Sequence, residues 1–531
     1  MPDPNMKSFM RGAVILTVAA IFVKVLSAVY RVPFQNIVGD VGFYIYQQVY
    51  PFYGISVALS TYGFPVMISK LVAERKGHPT DLREIIRVSF YVISTAGGFL
   101  FILLFFGAER MANGMGDPLL APLIQLSAFS FLLMPFLTVW RGAYQGLGDM
   151  VPTAVSQSGE QLVRVVFILL FAYILIRNEF SLYVTGAGAL AGSLMGSLAG
   201  IFVLWLYMRR RPLGAREEPA AAQVNRKELI RSLVYRGTAI CLASMMLVLM
   251  QLMDSFHLYS GLIHAGVNEW EAKVAKGIYD RGQPLLQLGT VVAASLSLTL
   301  VPLVTAAYKK QLPKEVDQAI QLALKVSFTI SFAAAVGIIN IMKPLNSMLF
   351  ENYDGSDVLS VFCLSIIFSS VILTLSGILQ GIGEDFTPAI AVIAGLLFKW
   401  AGNYLLIPVY GTMGAAVSTV AALAGIALFL ALKIRIKLKT KYLHGYFMAK
   451  VLFSASCMTV LLRIWILLSS SFITGMIGNE RLQMVMITCS SVFVGAFVFI
   501  YVIVKLKLFT DDELRQIPFG SKLEKLSRKI R

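Results

Sequence analysis

Fourteen apolar runs, each long enough to cross the hydrocarbon core of a bilayer, dominate this sequence. They span 12–36, 41–69, 84–107, 120–146, 153–176, 183–208, 232–260, 275–307, 319–342, 357–381, 387–408, 412–434, 447–470 and 483–505. A crossing helix needs about 20 apolar residues. A backbone facing lipid must satisfy its own hydrogen bonds, and a helix does this within one segment. The expected fold is therefore an all-α polytopic membrane protein with 14 transmembrane helices. Composition agrees: 57% of residues are hydrophobic and only 14% charged, against about 25% charged in a soluble domain. The first run follows Lys7 and Arg11, as a signal peptide would. It continues past any convincing small-residue cleavage site and reads as a mature span.

The net charge of +17 raises the question of nucleic acid, and its distribution answers it. With both termini in the cytoplasm, the inside segments and adjoining helix ends hold 32 of the 46 Lys and Arg residues. The outside segments hold five, Arg110, Arg177, Lys273, Lys343 and Arg481, and nine lie within spans. This loop-by-loop alternation is the positive-inside pattern, so the positive charge belongs to the cytoplasmic leaflet. The tail 506–531 is basic. Thr510 and Glu513 have capping-box spacing, and Leu523, Leu526 and Ile530 line one face, as expected of a helix lying on anionic lipid. A solvated basic tail fits the same residues.

The chain resembles itself at an offset of roughly 225–240 residues, the signature of an internal repeat. Arg11-Gly12 opens span 1 and Arg236-Gly237 opens span 7; Gly63-Phe64-Pro65-Val66 ends span 2 and Leu300-Val301-Pro302-Leu303 ends span 8. Gln145-Gly146-Leu147-Gly148-Asp149 with Pro152 matches Gln380-Gly381-Ile382-Gly383-Glu384 with Pro388. The repeat predicts a six-helix bundle over 1–208, a cytoplasmic linker over 209–231 broken by Pro212, Gly214 and Pro219, and a second bundle over 232–434. Spans 13 and 14, within 435–505, lie outside it. Parallel halves imply a pseudo-two-fold axis along the membrane normal, with substrate between the halves and alternating access by rocking. Gly192, Gly196 and Gly200 in span 6, and Gly414, Ser418 and Ala422 in span 12, are expected to pack helices closely.

Ionisable groups inside spans cost about 2.5–3.5 kcal/mol each on insertion scales and mark function by default. Span 1 carries Lys24 and Arg31 on one helix face with Ser27 and Ala28. Arg164, Arg281 and Lys399 add further cations, whereas the acids at comparable depth are Glu160, Asp254 and Asp280. Glu160 and Arg164 have i,i+4 pair spacing, Lys399 has the reach to meet a neighbouring helix end, and Arg463 is placed to snorkel. A cavity with surplus fixed cations suits an anion: arginine grips phosphate bidentately and lysine supplies a point charge. Lys24, Arg31, Arg164, Arg281 and Lys399 are thus candidate substrate-binding residues, and Asp254, Asp280 and Glu160 candidate coupling or charge partners.

No Walker A motif, no Ser/His/Asp or HExxH arrangement and no large outside loop is present. The four cysteines, Cys241, Cys363, Cys457 and Cys489, sit in apolar runs, and the histidines lack metal-ligand spacing. No enzyme activity, cofactor or metal is expected.

Lys24-Val25-Leu26-Ser27, with Arg31 beyond it, resembles the first helix of MurJ-type lipid II flippases. Tyr279-Asp280-Arg281, Pro284, Gly289 and Leu300-Val301-Pro302 resemble that family's eighth-helix pattern, and the Gln-Gly-x-Gly turns also fit. Tyr30 to Phe34 and Tyr50-Pro51-Phe52 look more like the Gram-positive branch of stage V sporulation protein B and the polysaccharide exporters. The resemblance covers essentially the whole chain. It implies the multidrug/oligosaccharidyl-lipid/polysaccharide exporter superfamily and, for Lys24 and Arg281, contact with the diphosphate of a lipid carrier. Arg31 sits one position from the family's second span-1 arginine. Where the family has a span-2 arginine, this chain has Gln47, Gln48 and the tyrosines Tyr44, Tyr46, Tyr50 and Tyr53, whose rings suit sugar faces.

The expectation is a flippase or exporter in the bacterial cell membrane. It would carry an undecaprenyl-diphosphate-linked glycan or peptidoglycan precursor to the outer leaflet, with membrane lipids and cell-wall or polysaccharide synthesis enzymes as partners. A multidrug or metabolite antiporter of the same fold, and a non-transporting scaffold of a wall-synthesis complex, are the alternatives.

Overall fold

A computed structural model describes residues 4–75, 79–210, 225–440, 445–474, 478–516 and 520. The breakers Pro212, Gly214 and Pro219 and the stripe Leu523, Leu526 and Ile530 lie outside these. Every regular element among the described residues is helical. In chain order they are α1 (Pro4–Val29), α2 (Arg31–Ala58), α3 (Phe64–Glu74), α4 (Pro79–Gly114), α5 (Ala121–Leu147), α6 (Val151–Arg177), α7 (Leu182–Arg210), α8 (Arg226–Arg231), α9 (Thr238–Ser244), α10 (Met246–His264) and α11 (Glu269–Asp280). Then follow α12 (Gly282–Leu298), α13 (Val301–Lys309), α14 (Pro313–Asn340), α15 (Met342–Phe350), α16 (Ser356–Cys363), α17 (Ser365–Gly381), α18 (Phe386–Leu438), α19 (Gly445–Thr474), α20 (Glu480–Lys505) and α21 (Asp511–Gln516).

Twelve helical segments among the described residues are long and apolar enough to cross a membrane. Two are unusually long and each covers two of the apolar runs: Ile15–Glu74, with 60 residues, and Phe386–Leu438, with 53. At 1.5 Å per residue a 53-residue helix would be about 80 Å long, over twice the hydrocarbon thickness. Both segments break at a glycine in a left-handed conformation, Gly39 (φ 71) and Gly411 (φ 56), where a side chain would strain the backbone.

The repeated turns share one construction. Gly148 and Gly383 have φ of 87° and 89°. The glycine two residues earlier closes a helix contact in each case. A Cβ on Gly146 would lie 2.5 Å from Val72 Cβ, and one on Gly381 would lie 2.5 Å from Thr305 Oγ1. Pro65 and Pro302 each open a new helix after a break, as a residue without an N–H can.

The chain forms two compact units, one of residues 1–280 with 385–415, the other of 281–384 with 416–531. In the first unit, Gly192, Gly196 and Gly200 line the face of α7 that meets α6. A Cβ on Gly196 would stand 2.7 Å from both Arg164 Cβ and Glu160 O. Gly414 does not follow this pattern. Its Cβ would meet Leu406 O at 2.4 Å, so it serves the turn after Gly411. Cys241 is buried against Gly63, and no cysteine is in a disulfide among the described residues. In the second unit, Thr510 and Glu513 form the reciprocal capping box at 2.9 and 3.2 Å, and Glu513 also binds Lys325 Nζ at 2.6 Å.

Candidate functional site

The first unit gathers a basic, tyrosine-lined cluster. α1 and α2 meet at Tyr30, whose backbone angles stay helical, and Arg31 opens the second helix. Tyr46, Tyr50 and Tyr53 follow at helical spacing, so their rings share one face: centroids are 5.7 Å apart for Tyr46–Tyr50 and 6.3 Å for Tyr50–Tyr53. The Arg31 guanidinium lies over Tyr50 at 4.7 Å, Arg164 over Tyr53 at 4.9 Å, and Lys24 over Tyr62 at 5.7 Å. Tyr30 and Tyr46 bond hydroxyl to hydroxyl at 3.0 Å. Tyr44 points elsewhere and donates to Asp117 at 3.1 Å. Gln47 and Gln48 are fully buried. Gln48 donates to Ser255 O at 3.0 Å, and neither amide atom of Gln47 has a partner among the described residues.

The charges divide by what neutralises them. Glu160 accepts from Arg164 at 2.6 Å, as its i,i+4 spacing predicts, and also from Arg141 at 2.6 Å. Two arginines thus share one carboxylate and leave a surplus positive charge. Arg141 is fully buried and is anchored by Ser156 at 2.9 Å. Lys399 meets Asp254 at 2.8 Å, and Lys276 meets Asp280 at 2.6 Å. Arg31 is 4% exposed and, like Lys24, forms no ion pair among the described residues. Within the first unit's spans the buried cations Arg31, Arg141, Arg164, Lys276 and Lys399 outnumber the buried carboxylates Glu160, Asp254 and Asp280.

Sequence reasoning missed Arg141 and Lys276. Arg141 lies within the run 120–146, and Lys276 stands four residues before Asp280. It also missed a cluster around Asp117. Asp117 accepts from Tyr183 at 2.6 Å, and Lys273 lies 3.8 Å from the same carboxylate.

Arg281 belongs to the second unit, buried between α12 and α15. It donates to Asn352 at 2.6 Å and Asn346 at 3.3 Å and stacks over Phe350 at 4.9 Å. Beside it runs an apolar cavity of about 950 Å³ between α12, α14, α19 and α20, lined by Leu285, Val292, Ile330, Ala334, Leu462 and Phe499. The α15 residues Leu345 and Leu349 line one end, next to the residues that hold Arg281, and Lys507 lies at another part of its wall. Arg463 is exposed on α19.

The family model described as "Polysaccharide biosynthesis protein" matches residues 9–308, and the MatE model matches residues 239–405. A relative from Bacillus subtilis (strain 168), "Uncharacterized membrane protein YabM", is 43% identical over 528 residues, covering 98% of this chain and 96% of its own. The chain belongs to the polysaccharide biosynthesis protein family. Within the wider exporter superfamily it is also similar to "Lipid II flippase MurJ" of the same organism, at 24% identity over 93% of this chain and 94% of that one. The solved "Lipid II flippase MurJ, inward closed conformation" shares the fold, with a TM-score of 0.67 at 15% identity, over 93% of this chain and 99% of that chain. Family and fold are those of membrane transporters, not of enzymes.

Proposed function

We propose that this protein flips a lipid-linked anionic glycan precursor from the inner to the outer leaflet of the bacterial plasma membrane by alternating access. In this reading the chain crosses fourteen times with both termini cytoplasmic, and the repeat halves form two six-helix bundles. The observation that carries it is Arg31, a buried arginine without a carboxylate, stacked on Tyr50 beside Lys24 and the Arg141–Glu160–Arg164 cluster. A fixed cation with no carboxylate partner among the described residues suits an anion that arrives with the ligand. Arginine favours phosphate oxygens, and the tyrosine faces suit sugar rings. The apolar cavity next to Arg281 supports the same ligand class, since a polyprenyl diphosphate joins an apolar chain to an anionic head. The solved MurJ and the relative of that name are lipid II flippases, which favours a peptidoglycan precursor among such lipids. Wall- or polysaccharide-synthesis enzymes are the proposed neighbours that supply and consume it.

The antiporter reading draws less support, because Lys399 already neutralises Asp254 and a second lysine, Lys276, neutralises Asp280. The scaffold reading requires that the cluster's charges be dispensable. The test is flipping of a fluorescent undecaprenyl-diphosphate-linked disaccharide in proteoliposomes. Protein-dependent flipping that is lost in an Arg31→Ala/Arg281→Ala variant supports the proposal. Equal flipping by that variant and the parent would overturn it.

A further inference from the structure

The two arginines that share Glu160 use their donors very differently. Every guanidinium nitrogen of Arg141, on α5, is occupied. Nε and Nη2 donate to Ser156 Oγ at 3.3 and 2.9 Å, and Nη1 donates to Thr61 Oγ1 at 3.4 Å. Nη2 also donates to Glu160 Oε2 at 2.6 Å. The side chain is fully buried and has no donor left for a ligand. Arg164, on α6, is not saturated. Nη2 donates to Glu160 Oε1 at 2.6 Å and Nη1 to Gln161 Oε1 at 2.9 Å, while Nε is buried without a partner among the described residues. Gln161 Nε2 and Arg31 Nε are left in the same condition. Arg31 and Arg164 stack on neighbouring rings, Tyr50 and Tyr53, whose centroids are 6.3 Å apart.

A buried donor left unmade costs about 1–3 kcal/mol, so three of them beside one row of rings call for a reason. The arrangement of Glu160 supplies one. A carboxylate and an arginine commonly pair through two parallel N–H···O bonds. Glu160 makes only one bond to Arg164, because Arg141 holds its other oxygen. Without Arg141, the Glu160–Arg164 pair would be neutral, and the free oxygen would be available to Arg164 Nε. With Arg141, the cluster carries a net charge of +1, and the Nε edge of Arg164 stays open. Packing from α7 restricts the arrangement further. A Cβ on Gly200 would lie 3.3 Å from Arg141 Nη2 and 3.2 Å from Glu160 Cβ.

We propose that Arg141 is a positioning residue for anion binding: acting through Glu160, it keeps Arg164 Nε free to receive a phosphate group of the substrate together with Arg31. This deepens, and rests on, the lipid-linked anion reading above. Arg141 itself touches no ligand. Its contribution is a fixed charge and a fixed carboxylate, and both act at short range in a site where water screens little. Second-row contacts of this kind hold a binding group in its productive geometry. Ser156 and Thr61 serve Arg141 in turn, since their hydroxyls take the donors that Glu160 does not.

Charge-balanced variants separate this role from simple packing. The probe is inorganic pyrophosphate, and the measurement is its affinity for the full-length protein in detergent, read from thermal stabilisation at constant ionic strength. Arg141→Met, which makes the cluster neutral, should weaken binding by about tenfold or more. Arg141→Met/Glu160→Gln removes one charge of each sign and returns the cluster to +1, so its affinity should recover to within about threefold of the parent's. A packing role predicts the opposite, a double variant that binds no better than the single one. Where the single variant is too unstable to titrate, the double variant decides: near-parental affinity supports the charge role, and a loss of about tenfold overturns it. Pyrophosphate that fails to stabilise the parent, or that binds Arg141→Met as tightly as the parent, also overturns the proposal. Flipping of the fluorescent undecaprenyl-diphosphate-linked disaccharide is measured beside it. Affinities in the expected order without protein-dependent flipping would keep the positioning role and count against the flippase reading alone.

Discussion

Asp280 and Arg281 are consecutive, yet each is anchored in a different compact unit. The Asp280 carboxylate is held by Lys276 at 2.6 Å in the first unit, and the Arg281 guanidinium by Asn352 at 2.6 Å in the second. The next passage of the chain between units repeats the device. Glu384 pairs with Lys437 in the second unit, and Asp385 with Arg236, at 3.4 Å, in the first.

This geometry sets a stability prediction. Lys276→Met leaves the Asp280 carboxylate buried and unpaired. It should lower stability by about 3–5 kcal/mol, the usual cost of breaking a buried pair from one side. Lys276→Met/Asp280→Leu should recover most of the loss. Thermal unfolding in detergent, followed by retention on size-exclusion chromatography, reads both; a double variant no better than the single one would contradict the account.

Lys24→Ala, Arg31→Ala and Arg281→Ala should each reduce flipping at least tenfold while membrane abundance stays near that of the parent. Neither Lys24 nor Arg31 pairs with a carboxylate among the described residues, and Arg281 is held by the side-chain amides of Asn352 and Asn346. Arg281→Lys should retain partial activity, because the charge persists while the bidentate fork is lost. Quantitative immunoblotting beside the flipping assay separates the two effects. Equal losses of abundance and activity would mean the cations are structural.

Gly196→Leu should prevent α7 from closing on α6. Even a Cβ there would stand 2.7 Å from Glu160 O and Arg164 Cβ, so the backbone must move. The Arg141–Glu160–Arg164 cluster lies directly beneath and should be disrupted with it. A Cβ on Gly411 would meet only Leu262, at an ordinary 3.5 Å, but φ there is 56°. Gly411→Ala should therefore cost about 1–3 kcal/mol from backbone strain alone. Melting temperatures should fall much further for the first variant than for the second.

Orientation has its own test. In a background lacking the four native cysteines, a cysteine at Asn479 should react with an impermeant thiol reagent in intact cells. One at Asp149, in the first repeated turn, should react only after the membrane is opened. The reverse pattern would invert the topology.

The sequence by itself determined the helical class, the apolar runs and the family. Hydrocarbon demands long uninterrupted apolar helices, and the cytoplasmic leaflet sorts Lys and Arg loop by loop, so both leave one-dimensional signals. Short-range relations were equally legible: the Glu160–Arg164 pair at i,i+4, the Thr510–Glu513 box at i,i+3, and the paired turns around Gly148 and Gly383. Only the tertiary structure decided which charges are neutralised. Arg141 reaches Glu160 from 19 residues away, and Lys399 reaches Asp254 from 145. Nothing in a single chain's order of residues marks such partners, because helix packing brings them together. The same packing left Arg31 over an aromatic ring instead of an acid, and a buried charge acquires its meaning from whatever side chain the fold places within a few ångströms of it.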